Sequence, residues 1–545
     1  MRTGNQAMPG GDPSAAPTQL GATAADETLS FTISLRMPRA ADLDQYLAGL
    51  TQPGSPSYRK YLRPVEFGDR FGLSDAEIGR IIAWLEAGGL TAEAMPQRTS
   101  LAVSGTAAHV RELLGIELVD RTTSDGLRYH VPIGEPVVPA ELRQDVAGIV
   151  GLDTEPVIKP AFGGIYPAGV PGDGLVPDTV TTAYEIKPLH EAGFRGEGMS
   201  IAIVSFDTFT PSDVELFDER VGIAGAPDVE LVRLEGAKEA PGGGAGEVAL
   251  DIQVIRGIAP MARIINYEGP NNATGFAGIL ARIVADDQVD VVSISWGLCE
   301  NLANPLLLGV NEVEFAAAFA AGISIFVASG DDGAFDCRRV QISDDPFDRD
   351  VSVGVDFPGS SPSTVSVGGT FLSLRQDGTY LEEAGWEEPL SGSGGGGGVS
   401  RHFNRPAWQV GVGVDNAASN GQRQVPDVAG PADPGSGFHV VYTNSGEELV
   451  SGKVGGTSAA APFWAASMLL TQQLAQSEGV QTLGPLAPVL YQVAAQQPAG
   501  AVFHDVLRGG NLLYQAAPGW DYSTGLGSPR VAPLARAIVD FLAEQ

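Results

Sequence analysis

From residue 199 to residue 328 the chain repeats one rhythm. A short run of consecutive apolar residues gives way to a longer amphipathic stretch, and then another apolar run begins. The runs lie at 199–204, 229–234, 262–267, 289–295 and 323–328, with helical periodicity between them at 211–221, 247–257, 276–285 and 305–321. Strands that are apolar on both faces and alternate with helices predict a parallel sheet covered on both sides, joined by right-handed crossovers. Reactive groups in such a sheet gather beyond the carboxyl ends of the strands, and two loops start there, at Trp296 and at Ser329. Residues 29–155 follow a different pattern, with strand-like runs at 29–35, 101–104 and 129–132 and helical stretches at 41–50 and 75–87, which predicts a smaller α+β unit. Residues 156–178 are rich in Pro and Gly and lack periodicity (Gly163-Gly164, Pro171-Gly172-Asp173-Gly174), a linker composition open to proteolytic nicking. Residues 1–28 read as a disordered tail. The expected architecture is therefore α/β, a parallel-sheet domain over 179–545 behind an α+β domain.

Composition narrows the function. At 545 residues the chain exceeds the size of one core. Asp+Glu 66 against Lys+Arg 33 gives a net charge of -33, which argues against nucleic acid and anionic membranes as partners. No apolar run reaches 18 residues, and the N-terminus lacks the apolar centre of a secretory signal. Carboxylates lose their mutual repulsion as they protonate, so the composition suits an acidic medium. Cys299 and Cys337 have no Cys-x-x-Cys neighbour, which disfavours zinc and leaves one disulfide or two buried thiols.

Four places carry candidate chemistry. In Gly455-Gly456-Thr457-Ser458, a glycine turn runs into the apolar helix that begins near Phe463, placing Ser458 where helix-end amides can stabilise negative charge; a plain helix cap is the alternative. Glu247 and Asp251 stand four apart on an otherwise apolar helix, an arrangement that repels unless the acids share a proton or lie on a solvated stripe. Asp331 follows a strand in the loop Ser329-Gly330-Asp331-Asp332-Gly333, either a turn or a functional acid. Asp505 and Asp521 bracket glycine turns, and are either hard oxygen ligands or surface turns.

In family order the chain carries Gly246-Glu247-Val248-Ala249-Leu250-Asp251, Ser293-Ile294-Ser295-Trp296-Gly297, Ser329-Gly330-Asp331, Gly455-Gly456-Thr457-Ser458 and Pro518-Gly519-Trp520-Asp521. From about residue 29 to the end it resembles the sedolisin family of serine-carboxyl peptidases, including kumamolisin-like members. The resemblance implies a subtilisin-like catalytic domain behind a self-cleaved prodomain that inhibits it, acting on proteins or peptides. By motif position Ser458 becomes the nucleophile, Glu247 its base, Asp251 the partner of Glu247, and Asp331 the oxyanion donor. Ser295, Trp296 and Gly297 would line the substrate cleft. One structural Ca2+ would be held by Asp505 and Asp521, with carbonyls of Val506, Ala517 and Gly519. A disulfide between Cys299 and Cys337, a secreted location and a monomer are expected. The family's frequent glutamate after the first catalytic-domain strand is absent, the chain having Ser205-Phe206-Asp207, so a shorter proton network is expected. Endopeptidase action is favoured over a tripeptidyl exopeptidase and over a silent binding homologue, all four catalytic positions being filled.

Overall fold

A computed structural model describes residues 18–123, 126–161, 165–167, 174–339 and 352–545. At its centre is a sheet of eight strands. Glu230–Arg233, Arg263–Glu268, Ser200–Ser205, Val291–Ile294, Ser324–Ala328 and Val365–Leu374 lie side by side, each parallel to the next. Val428–Pro431 also pairs parallel with Val365–Leu374, and Tyr380–Gly385 adds antiparallel to that strand. The apolar alternation thus builds the parallel sheet it predicts, extended by strands whose glycines hide the period.

Two helices run through the interior beside this sheet. All residues of Ala245–Ile258 are buried, so the carboxylates of Glu247 and Asp251 do not form a solvated stripe. Thr457–Ser477 is buried without interruption from Thr457 to Gln472, and Trp464 Nε1–H donates to Ala429 O at 2.7 Å, fixing the helix against the sheet.

The N-terminal unit has its own apolar core, from Leu29 to Leu152. Its four-stranded antiparallel sheet is ordered Thr91–Ala94, Ser100–Thr106, Thr28–Leu35, Val146–Val150. The strand Thr18–Ala22 corrects the expected tail, because it pairs with Glu117–Thr122 and so belongs to this unit. It is mostly exposed and too short for a period to show, and only its hydrogen-bonding edge marks it. Residues 1–17 lie outside the described residues.

The two units share an extensive interface. Leu43, Tyr46, Leu50, Phe67 and Phe71 join the catalytic core. Leu62 N–H donates to Ala320 O at 2.9 Å. The buried carboxyl of Glu314, on helix Pro305–Ala321, accepts from Gln97 Nε2 (3.2 Å) and Ser100 Oγ (3.0 Å). Parts of the predicted linker, 162–164 and 168–173, lie outside the described residues. Its described strands are Lys159–Pro160 and Ile165–Pro167, and its end forms helix Pro177–Ala183.

Candidate active site

Gly456 adopts φ +119°, a backbone conformation that side-chain-bearing residues rarely reach, and turns the chain into helix Thr457–Ser477. Ser458 sits at the second helical position. Pro462 has no N–H to return to the carbonyl four residues earlier, which is that of Ser458. Ser295 Oγ lies 3.2 Å from that freed carbonyl and 2.6 Å from Asp251 Oδ1. A hydroxyl carries one hydrogen, so both contacts are hydrogen bonds only when Asp251 is protonated and donates to Ser295. Burial pushes the Asp251 carboxyl well above its ordinary value, which favours that state.

Glu247 is also fully buried, and neither of its carboxyl oxygens makes a hydrogen bond. Burial raises its proton affinity first, the Asp251 charge adds to the rise, and the Ser458 hydroxyl opposes it. The Ser458 hydroxyl now donates to Ser295 O at 3.1 Å. Rotation about its Cα–Cβ bond can re-aim it towards Glu247 without moving the backbone. The two acids therefore share protons more readily than they share charge.

Across from them, Gly330 at φ +101° places Asp331 beyond the end of Ser324–Ala328. Thr457 holds it: its N–H donates to Asp331 Oδ1 at 2.8 Å, and its Oγ1 lies 2.9 Å from the same oxygen. With Oδ1 occupied, a proton on Asp331 resides on Oδ2, the form that can donate. Thr457 was not singled out by sequence reading; its neighbourhood to the nucleophile is the only local signal.

The strand expected over 289–295 ends at Ile294, and a separate strand, Trp296–Cys299, leaves the sheet. The break places Ser295 O where it accepts from both Ser458 and the linker. Linker residues pair antiparallel with the departing strand, Pro160 opposite Trp296 and Lys159 opposite Gly297. Ala161 N–H donates to Ser295 O at 3.0 Å, and Ser458 N–H donates to Ala161 O at 3.2 Å. Gly330, Asp331 and Gly297 line the same cavity as Lys159, Pro160 and Ala161. Asp336 and Asp356 complete its acidic wall. Cys299 and Cys337 are joined by a disulfide that ties the Trp296–Cys299 strand to the turn following Asp331.

Asp207, standing where the family's glutamate was expected nearby, is committed elsewhere. Its buried carboxylate accepts from Lys238 Nζ (2.6 Å) and from the N–H groups of Gly242 (2.7 Å) and Gly244 (2.9 Å), which orders the entry to helix Ala245–Ile258.

A second cluster lies near the C-terminus. Asp505 accepts from Gly519 N–H at 3.2 Å, and Asp521 accepts from Ala517 N–H at 3.0 Å and from Ser523 and Thr524 N–H at 2.8 Å each. Val506 is buried beside them. Burial raises both carboxyls, Asp521 to about 6, and only neutral donors oppose it. Buried Asp521 and half-buried Asp505, neither with a basic partner, stand on a loop whose carbonyls could join them, and such a set fits a hard divalent cation. Among the described residues no group of three or more Asp, Glu, His or Cys side chains is arranged to hold a metal ion, so backbone oxygens would have to complete such a site.

Residues 16–155 match the family described as Pro-kumamolisin, activation domain, and residues 238–496 match the Subtilase family. Kumamolisin of Bacillus sp. (strain MN-32) is 34% identical over 95% of this chain and 93% of that protein. The chain belongs to the sedolisin and kumamolisin family of serine peptidases. Tripeptidyl-peptidase sed1 of Aspergillus fumigatus is a more distant relative at 26% identity, over 90% of this chain and 88% of that protein. The solved structure of Pseudomonas sedolisin, a serine-carboxyl proteinase complexed with two molecules of pseudo-iodotyrostatin, matches with a TM-score of 0.56 at 27% identity. It covers 68% of this chain and 99% of that one, the share expected when an activation domain is present here in addition. Among the described residues no histidine lines the cavity at Asp331.

Proposed function

We propose that this protein is an acid-acting endopeptidase that matures by cutting its own linker after Ala161, through Ser458, Glu247, Asp251 and Asp331. The observation that carries this reading is the linker itself, held as an extended strand with the Ala161 carbonyl against the Ser458 amide. In the proposed reaction Ser458 Oγ attacks that carbonyl carbon while its proton passes to Glu247. The oxyanion is met by the Ser458 N–H and by protonated Asp331, the acid standing where another serine protease uses a neutral amide donor. Glu247 then returns the proton to the leaving amine, giving an acyl-enzyme. Water, deprotonated by Glu247, releases the acid product and restores Ser458.

An endopeptidase is favoured over a tripeptidyl exopeptidase by the path of the chain. A tripeptidyl enzyme needs its cleft to end after the third residue before the cut, which here is Lys159. The chain instead continues through buried Ile158 into the prodomain. The prodomain, covalently placed over the cleft, serves as the inhibitor until the cut. We further propose one structural Ca2+ at Asp505 and Asp521, with carbonyls of Val506, Ala517 and Gly519, and an oxidising, extracellular setting in keeping with the disulfide.

Acid incubation followed by mass and N-terminal sequencing tests the first reading. The wild type is expected to shorten with a new terminus at residue 162, while Ser458→Ala stays full length, its rate reduced by more than about 10⁴-fold. Maturation of pure Ser458→Ala at the wild-type rate would remove Ser458 from the role. For calcium, melting with and without a chelator is the check. Saturation at 100 times Kd adds about 2.7 kcal/mol, and Asp521→Ala should lose that increment.

A further inference from the structure

Counting back from Ala161, the fourth residue before the proposed cut is Ile158, and one side chain holds both of its backbone polar groups. Ile158 N–H donates to Asn271 Oδ1 at 3.2 Å, and Asn271 Nδ2 donates to Ile158 O at 2.8 Å. The Ile158 side chain is 2% exposed and belongs to the catalytic core. In an extended chain successive backbone groups point to opposite sides, so with Lys159 and Ala161 paired to the 295–297 segment, Ile158 needs a partner on the other side. No strand supplies one; Asn271 does.

Asn271 is well supported for this task. It stands in the turn between strand Arg263–Glu268 and helix Ala273–Asp286, at the carboxyl end of a strand of the parallel sheet. Asn272 N–H donates to Pro270 O at 2.8 Å, and Asn272 Oδ1 caps the following helix through Gly275 N–H at 2.9 Å. The turn is thus fixed on either side of Asn271, whose amide has no part in holding it together. A carboxamide presents one acceptor and one donor side by side, which matches the N–H and C=O of a single extended residue.

We propose that Asn271 is a substrate-binding residue that reads the backbone of the fourth residue before the cleaved bond, with an apolar site beside it for that residue's side chain. The proposal rests on the endopeptidase reading. Because the amide contacts backbone and not side chain, it selects for length: a polypeptide with four or more residues before the bond gains two hydrogen bonds that a tripeptide unit lacks. Sequence specificity at this position comes from the apolar site, which favours residues like Ile158 over charged ones.

The acid-matured protein is assayed on two peptides identical from the third residue onward. One is acetylated at that residue, and the other carries an additional acetylated Gly, which adds backbone without a side chain. The acetyl carbonyl of the shorter peptide already stands where the fourth residue's carbonyl would be, so the longer one gains the N–H bond to Asn271 Oδ1, and in the wild type its kcat/KM should be roughly fivefold higher, the worth of one modest hydrogen bond. In Asn271→Ala that ratio should fall close to one. A third peptide, with an ester oxygen in place of the Gly nitrogen, removes that hydrogen bond without any mutation and should lose about fivefold in the wild type. A fivefold ratio persisting in Asn271→Ala, or an ester peptide cut as well as its amide, overturns the proposal. Wild-type protein that ignores both acetylated peptides and releases tripeptides from free amino termini overturns the endopeptidase reading first, and the role of Asn271 with it.

Discussion

At the scale of single residues the site is a problem of protons. Asp331 donates to an oxyanion only when protonated, and an unperturbed aspartate has a pKa of about 3.9, while Glu247 must be able to accept a proton in the same pH range. A bell-shaped profile with its maximum at roughly pH 3 to 5 follows. Asp331→Asn donates without titrating, so the alkaline limb of kcat/KM should move up in pH even if the maximum rate falls. A limb that stays in place would assign it to another group. The four catalytic candidates were legible in the sequence because each sits in a short contiguous motif. Ser295 was read as cleft wall, and its hold on Asp251 was not legible, since that contact joins residues 44 positions apart. Asn271 and Ala161 carry no motif, and their proposed roles arise only where the loop and the linker meet.

At the scale of elements, the five strands between residues 199 and 328 were readable because consecutive apolar residues are required of a strand buried on both faces. Val365–Leu374 and Val428–Pro431 were not, because Gly368, Gly369 and Gly430 leave no apolar signature. The disulfide belongs to this scale. It closes a span of 38 residues between the linker-pairing strand and the turn after Asp331. Chain entropy values such a link at about 4 kcal/mol. Reduction should therefore lower the free energy of unfolding by that order in a denaturant titration, and should raise KM for a peptide more than it lowers kcat. The reason is that Trp296–Cys299 is the edge with which an extended chain pairs. A reduced protein of unchanged KM would separate the bridge from the cleft.

At the scale of the whole molecule, the net charge of -33 is only part of the acid character. Burial raises the carboxyls of Glu300, Glu312, Glu314 and Glu383, Glu312 to about 7, while hydrogen-bond donors, mostly Ser, Thr, Tyr and Gln side chains, oppose it, helped at Glu312 by the Arg423 charge and at Glu300 by the Arg401 N–H and His402. An acid whose folded value exceeds its unfolded one binds more protons folded than unfolded. Its contribution is most favourable below the unfolded value and is lost as pH rises through the folded value. For Glu312 that window runs from 4.5 to about 7. The melting temperature should accordingly be higher at pH 5 than at pH 7.5, and Glu312→Gln should flatten the difference; a protein that melts higher at pH 7.5 would contradict this account. Glu314, at the interface between the domains, is raised by burial as well, but the hydrogen bonds that it accepts from Thr99, Gln97 and Ser100 of the N-terminal unit favour its ionised form and pull it back down.

The linker is gripped on both sides of Ala161, by Trp296–Cys299 before it and, through Ile165–Pro167, by Leu449–Val454 after it. If the proposed cut after Ala161 is made, such a chain meets its first substrate without an encounter. That first turnover would be a unimolecular event whose rate is indifferent to dilution and to any competing peptide, and only after both strand edges are vacated would the protein acquire a second-order rate constant at all.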